Sequence, residues 1–240
     1  TRALSSAASD VYKRQYYMFG IFKQLLDLIY KKRCYFCKKS YENTKMCSKC
    51  YGRIKFLPFS VMKNIDGVPV YCAAIYKNEI QKMIRGVKYH NQKELAYYQA
   101  KIMFDYWQNI AVSSGDFVVV PVPLHKSRQK QRGYNHMVLV AKEFAKLCGY
   151  EVLEAAIERV KETKPQYRLT QVEREQNLKD AFKFNREVCE LISDKNILIL
   201  DDILTTGATL SEIIKTFKQG GIDREKLFAF TTSCSEHNIV

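Results

Sequence analysis

The chain has 240 residues, with 39 Lys and Arg against 25 Asp and Glu, for a net charge of +14 at neutral pH. That length can bury a full core and leaves room for one domain with a small appendage. No apolar run approaches the roughly 20 residues that span a bilayer, so no membrane-spanning helix is expected and the cytosol is the expected location.

The positive charge points to polyanions: nucleic acid, membrane headgroups or phosphorylated metabolites. A basic surface kept for solubility is the plain alternative. Basic residues recur along much of the chain, so the charge marks no single site.

In chain order, residues 1–15 have no core pattern, no initiator Met and no apolar signal-peptide stretch. Residues 1–17 read as a non-native or disordered leader, with Met18 as the start. Over 19–32 the spacing of Phe22, Leu25, Leu26 and Ile29 predicts a packing helix, closed by Lys31, Lys32 and Arg33. A membrane-surface helix is the alternative, but the segment is short and carries few basic residues.

Cys34-Tyr35-Phe36-Cys37 and Cys47-Ser48-Lys49-Cys50 are two CxxC knuckles nine residues apart. This spacing predicts a four-thiolate zinc ribbon, with the metal supplying the folding energy. A disulfide pair or a redox CxxC is the competing reading, and the lack of a secretory signal weighs against disulfides. Four thiolates leave no open coordination position, so the zinc reads as structural. Residues 18–60 are expected to hold the helix and ribbon, and 61–240 the main domain. Cys72, Cys148, Cys189 and Cys234 lie among apolar residues and read as buried, inert thiols.

A turn is expected at 63–67, a strand at 68–76, and helices at 79–87 and 95–110. His90 reads as a solvated loop histidine. Residues 117–120 form a buried strand running into Pro121-Val122-Pro123-Leu124-His125-Lys126-Ser127-Arg128. Lys126 and Arg128 are candidate phosphate contacts there, with a basic surface turn as the alternative. Arg132-Gly133-Tyr134-Asn135 leads into a helix reaching about Leu147, and 152–157 reads as a strand. The 160–178 stretch is a long connection, with Thr170 and Glu173 suited to a capping box.

The stretch 196–210, NILILDDILTTGATL, organises the rest. Ile197, Leu198, Ile199 and Leu200 read as a buried parallel strand whose carboxyl end carries Asp201 and Asp202. Adjacent carboxylates are costly unless they meet hydroxyls or a cation. Thr205, Thr206, Gly207, Ala208 and Thr209 then offer hydroxyls and backbone N–H groups at a helix start, a cradle for phosphate. Acids beside a phosphate cradle fit a sugar phosphate. A helix over 211–220 and a last strand over 228–232 complete the pattern.

This string resembles the motif with which type I phosphoribosyltransferases bind 5-phosphoribosyl 1-pyrophosphate (PRPP). The resemblance implies an α/β fold of that type, a sheet flanked by helices, with the zinc ribbon at its N-terminal side. It implies PRPP at Asp201, Asp202 and 205–209, pyrophosphate at the Lys126 and Arg128 loop, Mg²⁺ accompanying PRPP, and a mobile loop near 160–178. Any base-binding hood would come from residues 55–110.

With the cysteine knuckles, VPVPLH at 120–125, RGYN at 132–135 and the 163–182 pattern, the chain resembles ComF-type competence proteins. His136 departs from them, since Gln is usual there. The resemblance implies a role in natural transformation, with single-stranded DNA and a DNA-translocating helicase as partners. An active Mg²⁺-dependent phosphoribosyltransferase with an unidentified acceptor is the alternative.

Overall fold

The computed structural model describes residues 32–40, 42–162, 176–188 and 194–236. The leader, Cys189, the capping pair Thr170 and Glu173, and the helix expected over 19–32 (Lys32 aside) lie outside the described residues. The chain divides into two compact units, the first ending at Tyr51 and the second starting at Gly52.

In the first unit, the Cys34 N–H donates to the Lys39 carbonyl and the Lys38 N–H returns to the Cys34 carbonyl, each at 2.9 Å. Lys38 takes a left-handed φ of +64° to close this tight turn. The Tyr35 N–H donates to the Lys45 carbonyl at 2.8 Å and ties the two knuckles together. Ser48–Tyr51 is a single helical turn, and Glu42 accepts hydrogen bonds from the Ser48 hydroxyl and N–H.

The second unit is built on a sheet of β1 (Lys63–Ile65), β2 (Val68–Ile75), β3 (Phe117–Pro121), β4 (Glu151–Val152), β7 (Asn196–Leu204) and β8 (Leu227–Cys234). Its order is β1-β2-β8-β7-β3-β4. Only the β1–β2 pair is antiparallel; the other pairings are parallel. β5 (Ile157–Arg159) and β6 (Phe182–Phe184) form a separate antiparallel ribbon. The helices are α1 (Asn78–Tyr89), α2 (Leu95–Trp107), α3 (Lys126–Arg132), α4 (His136–Cys148) and α5 (Ala208–Gln219). The outcome is mixed α/β with a mostly parallel central sheet flanked by helices, as the apolar strand runs predict.

Strand alternation assigns two different cores. One face carries an aromatic cluster in which Phe230 stacks on Tyr106 and Trp107, and Phe144 and Phe117 meet its rings edge-on. Helices α2 and α4 supply Tyr106, Trp107 and Phe144. The other core joins Val118, Val120, Ile197, Ile199 and Ala229 to Ile213, Ile214 and Phe217 of α5 and to Phe182 and Phe184 of the ribbon. These are ordinary large apolar residues, each worth roughly 1.5–3 kcal/mol when fully buried.

Three expectations are corrected. Residues 63–65 form a strand rather than part of a turn, with Asp66 and Gly67 turning the hairpin at φ +51° and +85°. The segment 152–157 splits between β4 and β5, which belong to different sheets. Lys126 and Arg128 stand on a short helix, not in an open loop.

Candidate functional site

β7 runs past the two acids to Leu204, because β8 stays paired beside it, Asp201 opposite Thr231 and Leu204 opposite Cys234. β3 stops earlier, with Pro121 opposite Leu200. The chain leaving β3 therefore opens beside Asp201. The acids, the 205–209 turn and the loop before α3 gather at the carboxyl end of the parallel strands, the usual ligand side of such sheets.

Successive strand residues point to opposite faces, and this separates the two carboxylates. Asp202 shares the face of Leu198 and Leu200 and is only 5% exposed. There its Oδ2 lies 2.5 Å from Nζ of Lys88, at the end of α1, and 2.5 Å from Nε2 of His136, the first residue of α4. Nδ1 of His136 is 2.8 Å from Nη1 of Arg132. Arginine can only donate, so Nδ1 accepts and Nε2 carries the proton given to Asp202. Burial lowers the His136 pKa to about 4, outweighing the pull of Asp202, so the imidazole is neutral at physiological pH. Burial acts to raise Asp202, but Lys88 and His136 overcome it and hold the carboxyl below the usual carboxylate range. Burial opposes the Lys88 charge, and Asp202 more than restores it.

Asp201 points to the other face and is half-buried. Its Oδ1 accepts the N–H of Asp202 at 2.9 Å. Burial, then the neighbouring Asp202 charge, raises its pKa to about 7. The pair thus divides into a fixed anion and a carboxyl poised near neutrality, the pattern expected when two acids occupy different environments.

The turn after β7 is held from below by the β1–β2 hairpin. Gly207 has φ +91°, and a Cβ there would lie 2.8 Å from Cδ1 of Ile65. Glycine is thus required both by conformation and by space. Lys63 Nζ donates to the Thr206 carbonyl at 3.0 Å. The Ser211 hydroxyl lies 3.3 Å from Asp66 Oδ2. Gly207 starts α5 without a side-chain cap, and the Thr206 hydroxyl meets the Ala208 N–H at 3.4 Å. Thr205, Thr206, Gly207, Ala208 and Thr209 are therefore consecutive around a helix start, the geometry that favours anions.

The Arg132-Gly133-Tyr134-Asn135 string is a joint. Gly133 ends α3 at φ +80°. The Tyr134 hydroxyl donates to the Val87 carbonyl at 2.5 Å. Asn135 caps α4 by accepting the Met137 N–H and donates back to the Val122 carbonyl. Arg132 reaches His136. One short string thus fixes α1, the exit of β3 and the start of α4 around Asp202.

Of the two basic residues expected to meet pyrophosphate, Lys126 is largely exposed and paired with Glu158 at 2.8 Å. Lys88, Arg159 and the bridging part of His136 are not evident from the sequence, because α1, β5 and α4 meet β7 only through the tertiary fold. Arg159 is 5% exposed, and its guanidinium lies 5.5 Å from the centre of the Phe182 ring. It lines a groove of about 750 Å³ bordered by Pro123, Lys126, Gln129, Glu154 and Arg186. The groove runs beside the acids and does not include them.

In the first unit, the sulfurs of Cys34, Cys37, Cys47 and Cys50 lie within 4.8 Å of one another. A tetrahedral ion with Zn–S bonds of about 2.3 Å holds its sulfurs about 3.8 Å apart. Cys37 and Cys47 are separated by 3.8 Å. The cluster can hold a metal ion such as zinc, and the fit is to an all-thiolate tetrahedron. Cys72 and Cys234 are buried and Cys148 is half-buried; burial pushes the Cys148 thiol up to about 12.

Fold and cluster define the class: a mixed α/β protein with a mostly parallel sheet, an acidic strand end and a four-cysteine cluster. No protein-family model matches the chain. It is similar to competence protein F of Haemophilus influenzae, 26% identical over 218 residues, 80% of this chain and 93% of that protein. It is also similar to DNA utilization protein YhgH of Salmonella typhimurium, 28% identical over 149 residues, covering 61% of this chain and 64% of the relative. For YhgH of Escherichia coli the match is 30% over 103 residues, 43% of this chain and 44% of that one. The YhgH matches thus span less than two thirds of those proteins. These similarities bear out the resemblance to ComF-type competence proteins read from the motifs. Among the described residues, no helix is long and apolar enough to cross a membrane.

Proposed function

We propose that this chain is a ComF-like accessory protein of DNA uptake, with a pocket for PRPP or a nucleotide 5′-phosphate at the end of β7. The observation that carries the pocket is the juxtaposition of Asp201 with the Gly207 turn at the start of α5. In this reading Thr205–Thr209 cradle the 5′-phosphate and Asp201 meets the sugar hydroxyls. Asp202, held by Lys88 and His136, fixes where Asp201 stands. Residues 61–240 then form a phosphoribosyltransferase-like domain, and 18–60 the N-terminal helix and zinc ribbon. The relatives' names, competence protein F and DNA utilization protein, support the DNA role, as does the net charge of +14. Single-stranded DNA and a DNA-translocating helicase are the partners in this reading, and the cytoplasm the location. The DNA role is tested by measuring single-strand affinity against salt. Affinity that falls steeply as salt rises, as phosphate contacts require, is expected. Absent or salt-independent binding would remove it.

A second reading, an active phosphoribosyltransferase using Mg²⁺ with PRPP, is favoured by the groove of about 750 Å³ beside the acids. It has room for an acceptor next to the sugar. Catalysis there would rest on positioning and electrostatics. The acceptor is tested by a screen for pyrophosphate release that depends on Asp201.

A further inference from the structure

We propose that Arg159, on the β5–β6 ribbon, is an anion-binding residue for the pyrophosphoryl group of the ligand, sharing that role with Arg128 of α3. The inference rests on the reading of the β7 turn as a PRPP pocket. It adds a contact from a part of the chain far from the motif.

Alternation along β5 is the starting point. Glu158 faces outward and takes Lys126 of α3 in an ion pair at 2.8 Å. Arg159, next along the strand, turns inward and is 5% exposed. The ribbon therefore does two things at once. Through Glu158 it pins the first turn of α3, and through Arg159 it delivers a guanidinium to the inner wall of the groove.

A buried guanidinium is expensive unless charges and rings around it compensate. The Phe182 ring gives one such contact. Of the two neighbouring charges, Arg128 repels it and Asp201 attracts it. Arg159 thus stands between the acid that would hold the sugar and a second arginine of the same sign. Two guanidiniums facing one space are mutually unfavourable until an anion enters between them, and the planar forks of arginine suit phosphate oxygens. The 5′-phosphate has its own cradle at 205–209, on the other side of Asp201 in sequence. The group left for the two arginines is the pyrophosphate at the opposite end of the sugar. Lys126, exposed and already paired, is the weaker candidate for that contact.

The test is calorimetric titration of the zinc-loaded chain, with Mg²⁺ present, using pyrophosphate, PRPP and ribose 5-phosphate separately. Arg159→Gln and Arg159→Lys are compared with wild type. Loss of a charge-assisted contact predicts pyrophosphate and PRPP binding weakened about 10- to 100-fold in Arg159→Gln. Ribose 5-phosphate binding is expected to change less than about twofold. Arg159→Lys keeps the charge without the fork and should fall between; it also serves if Arg159→Gln does not fold. Unchanged pyrophosphate binding in either folded variant overturns the inference. Wild type that binds ribose 5-phosphate but neither pyrophosphate nor PRPP overturns it too, while leaving the 5′-phosphate cradle standing. Wild type that binds none of the three overturns the pocket reading as well.

Discussion

His136 donates from Nε2 to Oδ2 of Asp202 at 2.5 Å, and the same carboxylate oxygen receives Lys88. Because Arg132 occupies Nδ1, the ring is both donor and acceptor and must stay neutral to bridge the two. Three elements, α1, α4 and β7, are therefore locked at one buried oxygen. The residue that departs from the family's usual sequence is the one that closes this lock.

Replacing His136 by Leu should destabilise the chain by about 1–3 kcal/mol, because a buried acceptor and donor lose their partner. His136→Gln, which can still donate and accept, should recover most of the loss. Thermal or urea denaturation checks this. Equal losses in both variants would show that ring volume, not the bridge, matters.

The same bridge sets a pH dependence. The folded pKa of His136, about 4, lies below the ordinary imidazole value. Its contribution to stability is present above about pH 6.5 and is lost as pH falls toward 4. Asp201 works with the opposite sign. Its folded pKa of about 7 lies above the unfolded carboxylate value. Its contribution is complete below about pH 4 and is lost as pH rises toward 7. The two effects overlap, so they are separated by variants. In Asp201→Asn, unfolding free energy should rise with pH between about 4 and 6.5, and adding His136→Gln should flatten that slope. A slope unchanged by His136→Gln would contradict the assignment.

The two acids should also separate by substitution. Asp202→Ala leaves Lys88 buried without its counter-charge and should cost about 3–5 kcal/mol. Asp201→Ala relieves repulsion between neighbouring carboxylates and should leave the melting temperature near wild type or above it. Comparable destabilisation in both would show that opposite-face placement does not govern their roles.

How much of this was legible in the sequence follows from which interactions are local. The Ile-Leu run before Asp201, the Gly207 turn and the paired CxxC knuckles are contiguous strings, and strand, turn and cysteine cluster lie where those strings predict. The hairpin strand at 63–65 was hidden because three residues, two of them polar and exposed, carry no alternating pattern. Lys88 and Arg159 were hidden for another reason. Each acts across the sheet, and only strand alternation, which sends Asp202 toward α4 and Asp201 toward the ribbon side, shows which acid each one meets.

Gly207→Ala tests the turn. A Cβ at φ +91° meets both backbone strain and Ile65 Cδ1 at 2.8 Å, for a cost of about 1–3 kcal/mol. Adding Ile65→Ala should remove the contact but not the strain. The double variant should therefore bind ligand better than Gly207→Ala alone, as titration of both would show. No difference between them would mean that the hairpin does not support the turn.

For the first unit, metal analysis should find one zinc per chain, lost on substituting Cys47 by Ala. Zinc retained at full occupancy in that variant would exclude the four-thiolate site.

The most direct test of the account is calorimetric titration of the zinc-loaded chain with PRPP and Mg²⁺, with Asp201→Ala as the control. The account predicts saturable binding by wild type that weakens below about pH 7 and is lost in the folded variant. A folded wild type that does not bind, or a variant that binds equally well, would contradict a sugar-phosphate pocket at the end of β7.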